Sequence, residues 1–273
     1  MNRLGYFGKA IFVTLALLLA AVIGTAQDAD TLTKDQIKEF LVNAKIVSAR
    51  ESPKGVTRPT RLTLTDGRIT HDASFQGINE YKPSQQLASG RTEMNFSDSY
   101  KYNIAAYLLS EMLGMDDMLP VYVERKYQGT TGSVSWWLPV KMDEEGRLKQ
   151  KLQPPDAEAW NRQMCRIRIF DELVDDTDPN LTNVLIGADW KVWRIDFTRA
   201  FRQDDRLRNP NNIVRCDRQL LEKLKALDAN EVSEKTRRYL TKETVKSLMR
   251  RRDQIVARFQ QLIAEKGEDA MLY

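Results

Sequence analysis

Asp178, Asn183 and Asp196 fall within one short stretch, DTDPNLTNVLIGADWKVWRIDF, residues 176–197. Asp178 precedes Asn183 by five positions, and Asn183 precedes Asp196 by thirteen. Between them, Val184-Leu185-Ile186 and Val192-Trp193-Arg194-Ile195 read as two short strands, and a hairpin built from them brings Asn183 and Asp196 to neighbouring strand ends. Phosphoryl transfer needs such a set: one carboxylate to orient an attacking hydroxyl and accept its proton, with an amide oxygen and a second carboxylate to hold divalent cations on phosphates. Hard oxygen ligands suit magnesium or manganese. The competing reading is an ordinary turn, in which Asp178 and Asn183 shape the chain around Pro179 and Asp196 caps a strand. Asp175 and Asp176 read as solvated turn residues, with a share in gathering metal as the alternative.

The elements that position these residues change character along the chain. Thr33-Lys34-Asp35-Gln36 fits a capping box, and Ile37, Phe40, Leu41 and Ala44 then share one helical face. From Arg61 the period turns to alternation, Leu62 and Leu64 and then Ile69 flanking Asp66-Gly67, a hairpin signal, with Phe75 and Ile78 continuing an extended run. A helix is expected from about Ser99 to Leu113, and two further extended segments, Val121 to Tyr127 and Ser133 to Leu138, flank the turn Gly129-Thr130-Thr131-Gly132. Ala157 to Val174 and the segments from Arg218 to Lys266 are helical in pattern, with Thr241 and Thr244 opening the last helix. Residues 141–156, ending in Pro154-Pro155, read as the joint between a strand-rich half and a helical half.

The 273 residues can bury one large core or two modest ones. Residues 1–26 stand apart. Arg3 and Lys9 give a basic start, Ala10 to Ile23 is almost wholly apolar, and Gly24-Thr25-Ala26 offers small residues around a cleavage point, which reads as a secretory signal peptide. An uncleaved anchor is the alternative, and only then is a membrane a partner. Loss of this segment leaves 40 basic against 38 acidic residues, so nucleic-acid binding gets no electrostatic support. An exported, periplasmic or extracellular location follows, and there Cys165 and Cys216 could form a disulfide.

Other conspicuous residues carry less. His71 is the only histidine, which excludes a histidine metal cluster and leaves a Ser-His-Asp hydrolase little to stand on. Trp136 and Trp137, on opposite faces of a strand, read as core plus interface more readily than as the border of an adenine pocket. Arg250-Arg251-Arg252 reads as a solvated helix face, with docking of an acidic partner as the alternative.

The spacing and hairpin around Asp178, Asn183 and Asp196 resemble the catalytic and metal-binding loops of protein kinases and, more closely, of phosphoinositide lipid kinases, whose metal aspartate also ends an apolar strand before Phe. A second stretch, YKPSQQLASGRTEMNFSDSYKYNIAAYLLSEMLGMDDMLPVYVERKYQGTTG at residues 81–132, resembles the strand, lysine and helix segment of the secretory-pathway kinases related to the Golgi casein kinase. HipA-type kinases share the same loose plan. NIAAYLLSEMLG, VYVERKYQGTTGSVSWW and WRIDFTRAFR look like a group of exported bacterial kinase-like proteins. The resemblance spans about residues 55–202. It implies an α+β, two-lobed protein-kinase-like fold with a strand-rich N-lobe holding one helix and a helical C-lobe. The expected divisions are residues 1–26 as signal peptide, 27–50 as an N-terminal helix segment, 51–140 as N-lobe and 141–273 as C-lobe.

By that resemblance Asp178 is the catalytic base, Lys82 binds the nucleotide phosphates, and Asn183 and Asp196 carry magnesium or manganese. The donor is ATP or another nucleoside triphosphate, and the acceptor is a hydroxyl on protein, glycan or small molecule. ATP is scarce outside the bacterial cytoplasm, so such an enzyme needs another donor or a supplied one. The chain also departs from the pattern. Asn103 stands where the secretory kinases have the helix glutamate that pairs with lysine, so either another acid such as Glu93 substitutes or the nucleotide geometry differs. Thr177 and Pro179 flank the base unusually, and Thr198 follows Asp-Phe where Gly is usual. No glycine-rich loop precedes Lys82, Gly55 being the only glycine near the right place. These departures keep open a catalytically silent pseudokinase that binds a nucleotide or partner as a scaffold.

Overall fold

A computed structural model of the chain describes residues 31–51, 59–87, 90 and 92–273. The candidate signal peptide and Gly55 lie outside the described residues. Helix α1 (Lys34–Asn43) starts at the expected capping box, Thr33 accepting from the Gln36 N–H while the Gln36 side chain accepts from the Thr33 N–H. Strands β1 (Lys45–Glu51), β2 (Thr60–Thr65) and β3 (Thr70–Gln76) follow, then β4 (Asn79–Gln86), β5 (Thr92–Ser99), helix α2 (Tyr100–Leu113), β6 (Tyr122–Tyr127) and β7 (Thr130–Trp136). The main sheet has the order β1-β2-β3-β7-β6, antiparallel throughout.

Local chemistry explains these elements. Asp66 turns β2 into β3 by accepting at 2.8 Å from the N–H groups of both Arg68 and Ile69, while Gly67 takes a positive φ of 89°. On β2, Leu62 and Leu64 are buried; on β3, Ala73 and Phe75 are buried, so alternation puts Asp72, Ser74 and Gln76 on the other face. Gly132 permits close approach of β7 to β3, because a Cβ there would collide with the Gln76 carbonyl oxygen. Helix α2 starts at Ser99, whose hydroxyl accepts from the Lys101 N–H, and ends at Gly114 with φ 66°.

The second half comprises β8 (Val140–Asp143), α3 (Glu144–Lys149), α4 (Ala157–Val174), β9 (Val184–Gly187), β10 (Val192–Arg194), α5 (Arg218–Ala226), α6 (Ala229–Thr236), α7 (Lys242–Lys266) and α8 (Glu268–Met271). Asp156 caps α4, and Ile167, Ile169, Phe170, Leu173 and Val174 on that helix are almost fully buried. The architecture is α+β, strand-rich first and helical second. Three features had no clear signal in the residue pattern: β1, the separate two-stranded hairpin β4–β5, and β8, which pairs with β9 and so draws the joint between the halves into a small sheet.

The Arg250-Arg251-Arg252 run is not a solvated face. Arg251 is fully buried on α7, donating to the carbonyls of Leu173 at 2.9 Å, Arg202 at 3.2 Å and Asp204. Arg252 reaches the carbonyls of Leu224 and Leu227, and only Arg250, paired with Asp205, stays largely in solvent. The helix turns Arg251 and Arg252 toward carbonyls at the C-terminal ends of α4 and α5 and in the loop of residues 202–204, which a charge pattern alone cannot reveal. Arg251→Met is expected to cost on the order of 3 kcal/mol in urea unfolding, because it strips donors from buried carbonyls. Arg250→Met, which removes an exposed ion pair, should cost less than about 1 kcal/mol.

Candidate active site

The β9–β10 hairpin sets Val184 opposite Arg194 and Ile186 opposite Val192. Its ladder continues one step further, since the Ile195 N–H donates to the Asn183 carbonyl at 3.0 Å. Asn183 and Asp196 therefore leave the hairpin side by side. Asn183 closes the 3-10 turn Leu181–Asn183, which Asn180 caps through the Thr182 N–H at 3.1 Å.

Asp196 has φ 61°, a left-handed conformation that a non-glycine residue keeps only when its surroundings hold it. They do. The Phe197 N–H donates at 2.7 Å to the Asn103 side-chain oxygen, and Phe197, fully buried, meets Phe170 edge to face at 5.5 Å. Thr198 donates its hydroxyl to Asp196 at 3.1 Å, and its carbonyl accepts from the Ser99 N–H at 2.9 Å.

Asp178 is exposed, on a loop held from both sides. Its N–H donates to Asp176 at 3.0 Å, and Thr177 donates its hydroxyl to the Arg199 carbonyl at 2.9 Å. Asp175 and Asp176 are not solvated turn residues: both are buried, Asp175 pairing with Arg208 at 2.6 Å and Asp176 with Arg194. Arg194, itself buried, also reaches Asp171 on α4 at 3.2 Å and the Ile195 carbonyl. One guanidinium thus ties together α4, the Asp178 loop and the strand that ends in Asp196.

The electrostatics follow from this crowding. Burial pushes the Asp196 carboxyl above the usual carboxylate range, against the Thr198 hydrogen bond and the charge of Arg194, and the Asp98 charge adds to the rise. Burial likewise raises Asp98 on β5, one of whose oxygens is enclosed without a hydrogen-bond partner. Asp171 and Asp176 are raised by burial and lowered in part by Arg194. Tyr122 on β6, near Asp196 and Ser135, is pushed well up by burial.

Lys82 lies on β4, half exposed, 2.8 Å from Glu80 and 3.2 Å from the Gln85 side-chain oxygen. It lines a cleft of 1270 Å³ between the β4–β5 hairpin and the second half, together with Tyr81, Phe96, Thr177, Arg202 and Tyr239. Through Thr177 this cleft borders the Asp178 loop. Glu93 does not pair with Lys82: its partners are Arg199, at 2.5 Å, and Arg202. Asn103, buried on α2, donates to the side chains of Gln76 at 2.8 Å and Ser133 at 3.3 Å.

Sequence reasoning missed Asp98, Arg194 and Gln76. Arg194 did carry a signal, a lone charge in the otherwise apolar run Val192 to Ile195; Asp98 and Gln76 carried none. His71 stacks on Trp136 at 3.6 Å and its Nε2 lies 3.0 Å from the Trp137 carbonyl, while Arg61 covers the Trp137 ring at 4.1 Å, so all three are structural here. Cys165 and Cys216 are free, buried thiols.

Among the described residues no three His, Cys, Asp or Glu side chains converge on one point. A magnesium-type cation does not need them, since it is commonly held by one or two carboxylates with waters and phosphate oxygens, and the side-chain types of Asp196 and Asn183, at neighbouring ends of the hairpin, fit that donor set.

No family model and no curated protein matches the chain by sequence. Solved structures do match. A hydra Fam20 solved with sugar superposes with a TM-score of 0.64 at 14% identity, covering 88% of this chain and 91% of the other. A Golgi casein kinase gives 0.62 at 12% identity, covering 90% and 78%. The fold is kinase-like, of the Fam20 type. The Helicobacter pylori proinflammatory kinase CtkA matches with a TM-score of 0.50 at 10% identity, covering 81% and 97%. The two-lobed arrangement expected from the residues is that of these kinases, and among the described residues no helix is long and apolar enough to cross a membrane.

Arg194→Met is expected to destabilise the protein by about 3–5 kcal/mol, because it leaves buried carboxylates uncompensated. Adding Asp171→Asn and Asp176→Asn should recover part of that loss, read as a rise in the urea midpoint of the triple variant over the single one.

Proposed function

We propose that this protein is an exported, metal-dependent phosphotransferase that moves a phosphoryl group from a nucleoside triphosphate to a hydroxyl on protein, glycan or small molecule. The observation that carries the reading is the juxtaposition of Asn183 and Asp196 through the Ile195-to-Asn183 hydrogen bond, with the Asp178 loop tied to the same strand through Asp176 and Arg194. The kinase-like fold supports it, as does the Golgi casein kinase solved with Mn and ADP bound, which overlays 88% of this chain. The apolar segment at residues 10–23 supports export, to a periplasm or the extracellular space.

In this reading the exposed Asp178 carboxylate orients the acceptor hydroxyl and takes its proton as the new P–O bond forms. Asn183 and Asp196 hold magnesium or manganese, which when bound offsets the charge of the transferring phosphoryl group. Lys82 sits on the wall of the adjoining cleft, where its ammonium meets anionic groups of nucleotide or acceptor. Arg194 keeps the carboxylates in place and touches neither substrate.

A second reading, a catalytically silent scaffold that binds nucleotide or partner, is favoured by Asn103, a neutral amide where a helix carboxylate was expected. Two measurements separate them. Purified protein should gain thermal stability from a nucleotide only with magnesium or manganese, and Asp196→Ala and Asn183→Ala should abolish that gain. Asp178→Ala should keep the gain but lower turnover of labelled ATP by roughly 10²- to 10⁴-fold. Nucleotide binding without turnover in the unaltered protein favours the scaffold, and no shift with any nucleotide at millimolar metal sinks the phosphotransferase.

A further inference from the structure

We propose that Cys165 and Cys216 are a cross-linking site: given a disulfide as oxidant they join within one chain, tying α4 to the segment before α5 and closing a ring of chain that contains Asp178, Asn183 and Asp196. The inference goes beyond the phosphotransferase reading and does not rest on it.

The two cysteines stand 51 positions apart, on facing segments. On α4, Glu158, Arg162 and Cys165 are spaced by four and then three residues, so they share one stripe of the helix. That stripe meets residues 215–216 and 273. Glu158 pairs with Arg215 at 2.9 Å, and the Tyr273 hydroxyl donates to the Arg162 carbonyl at 2.8 Å. The guanidinium groups of Arg162 and Arg215 lie 5.1 and 5.2 Å from the Tyr273 ring. Cys216 follows Arg215 directly. Its N–H donates to the Met271 carbonyl at 2.9 Å and its carbonyl accepts from the Tyr273 N–H at 3.1 Å, so a short parallel pairing with Leu272 fixes it beside the same tyrosine. The Arg215 N–H in turn reaches the Cys165 sulfur, one residue from Cys216.

Both thiols are enclosed, Cys165 at 6% exposure and Cys216 at 0%, and neither has a part in the chemistry proposed above. Burial pushes both up from the ordinary thiol range. At Cys165 the charges of Arg168 and Arg215 work against the rise, whereas at Cys216 the charges of Asp217 and Cys165 add to it. Cys165 is therefore the thiol that reacts first, when the Tyr273 segment lifts. Its thiolate attacks the S–S bond of the oxidant, releasing one half as a thiol and keeping the other half on its own sulfur. The Cys216 thiolate then displaces that second half and forms the internal bond. Two protein thiols are oxidised, one disulfide is reduced, and the two released thiols carry away the two protons. The ring so closed takes in Asp171, Asp176 and Arg194 as well, and it limits how far the chain around the site can open. The exported setting proposed above is one in which such a bond persists.

The test compares the unaltered protein reduced with dithiothreitol and the same protein equilibrated with excess oxidised glutathione, added both to the folded chain and during refolding from urea. After oxidation the monomer should lose two hydrogens in intact mass and resist alkylation in denaturant, and proteolysis should yield one linked peptide pair holding Cys165 and Cys216. Its unfolding equilibrium constant in urea should fall by roughly 10²- to 10³-fold, the scale for closing a ring of this length. Cys165→Ala and Cys216→Ala should each abolish the mass change and make stability indifferent to the oxidant. The unaltered protein alone decides the outcome, so a variant that fails to fold removes only a control. Thiols that stay open to alkylation by both routes overturn the inference. Mixed disulfides with glutathione, or bonds between chains, in place of the internal bond do the same. So does an internal bond that leaves the urea midpoint unchanged or lowers it.

Discussion

The Arg194 guanidinium, almost entirely withdrawn from solvent, is the constraint on which the site depends. A buried cation needs anionic and carbonyl partners, and Arg194 finds them in Asp171 on α4, Asp176 before the Asp178 loop and the Ile195 carbonyl beside Asp196. Each partner belongs to a different segment, so satisfying one ion sets the spacing of three. Asp176 then receives the Asp178 N–H, and Ile195 passes the ladder on to Asn183. A buried ion pair of this kind adds little net stability over a well-packed apolar substitute, but it makes the wrong arrangement expensive. That is what a site built from acids requires, because its carboxylates would otherwise move apart.

A second set of bonds holds the same segment from the strand-rich half. Ser99 donates to the Thr198 carbonyl, Asn103 accepts from Phe197, and Glu93 binds Arg199 and Arg202. With Thr177 also bound to the Arg199 carbonyl, the chain from Asp196 to Arg202 is fastened to both halves. The positive φ values of Asp196 and Phe201 persist because so many partners over-determine them. Arg251 closes the arrangement from α7, joining the end of α4 to the carbonyls of residues 202 and 204.

Much of this was legible in the residues, and what was legible is local. The capping box at Thr33, the Asp-Gly turn after β2, the helix from Ala157 to Val174 and the Asn183–Asp196 hairpin each depend on residues within about one helix or hairpin of one another. Charge was read less well. Arg251 and Asp176 looked like solvated groups, yet both are interior, because a charged side chain goes inside wherever buried carbonyls or an opposite charge await it. The hairpin β4–β5 carries Lys82 beside the main sheet rather than within it, and alternation in β4 gave no warning, since seven of its eight residues are exposed.

By itself the sequence determined the order of most elements, β1, the β4–β5 hairpin and β8 excepted, and the short hairpin that carries Asn183 and Asp196 at its ends, since periodicity, caps and a short hairpin register are written in neighbouring residues. Only the tertiary structure decided which polar groups meet. Asn103 and Phe197 stand 94 positions apart, and Glu93 and Arg199 106. Which of several amides or acids completes a buried contact depends on the approach of two surfaces to within about 3 Å. No local pattern encodes that distance.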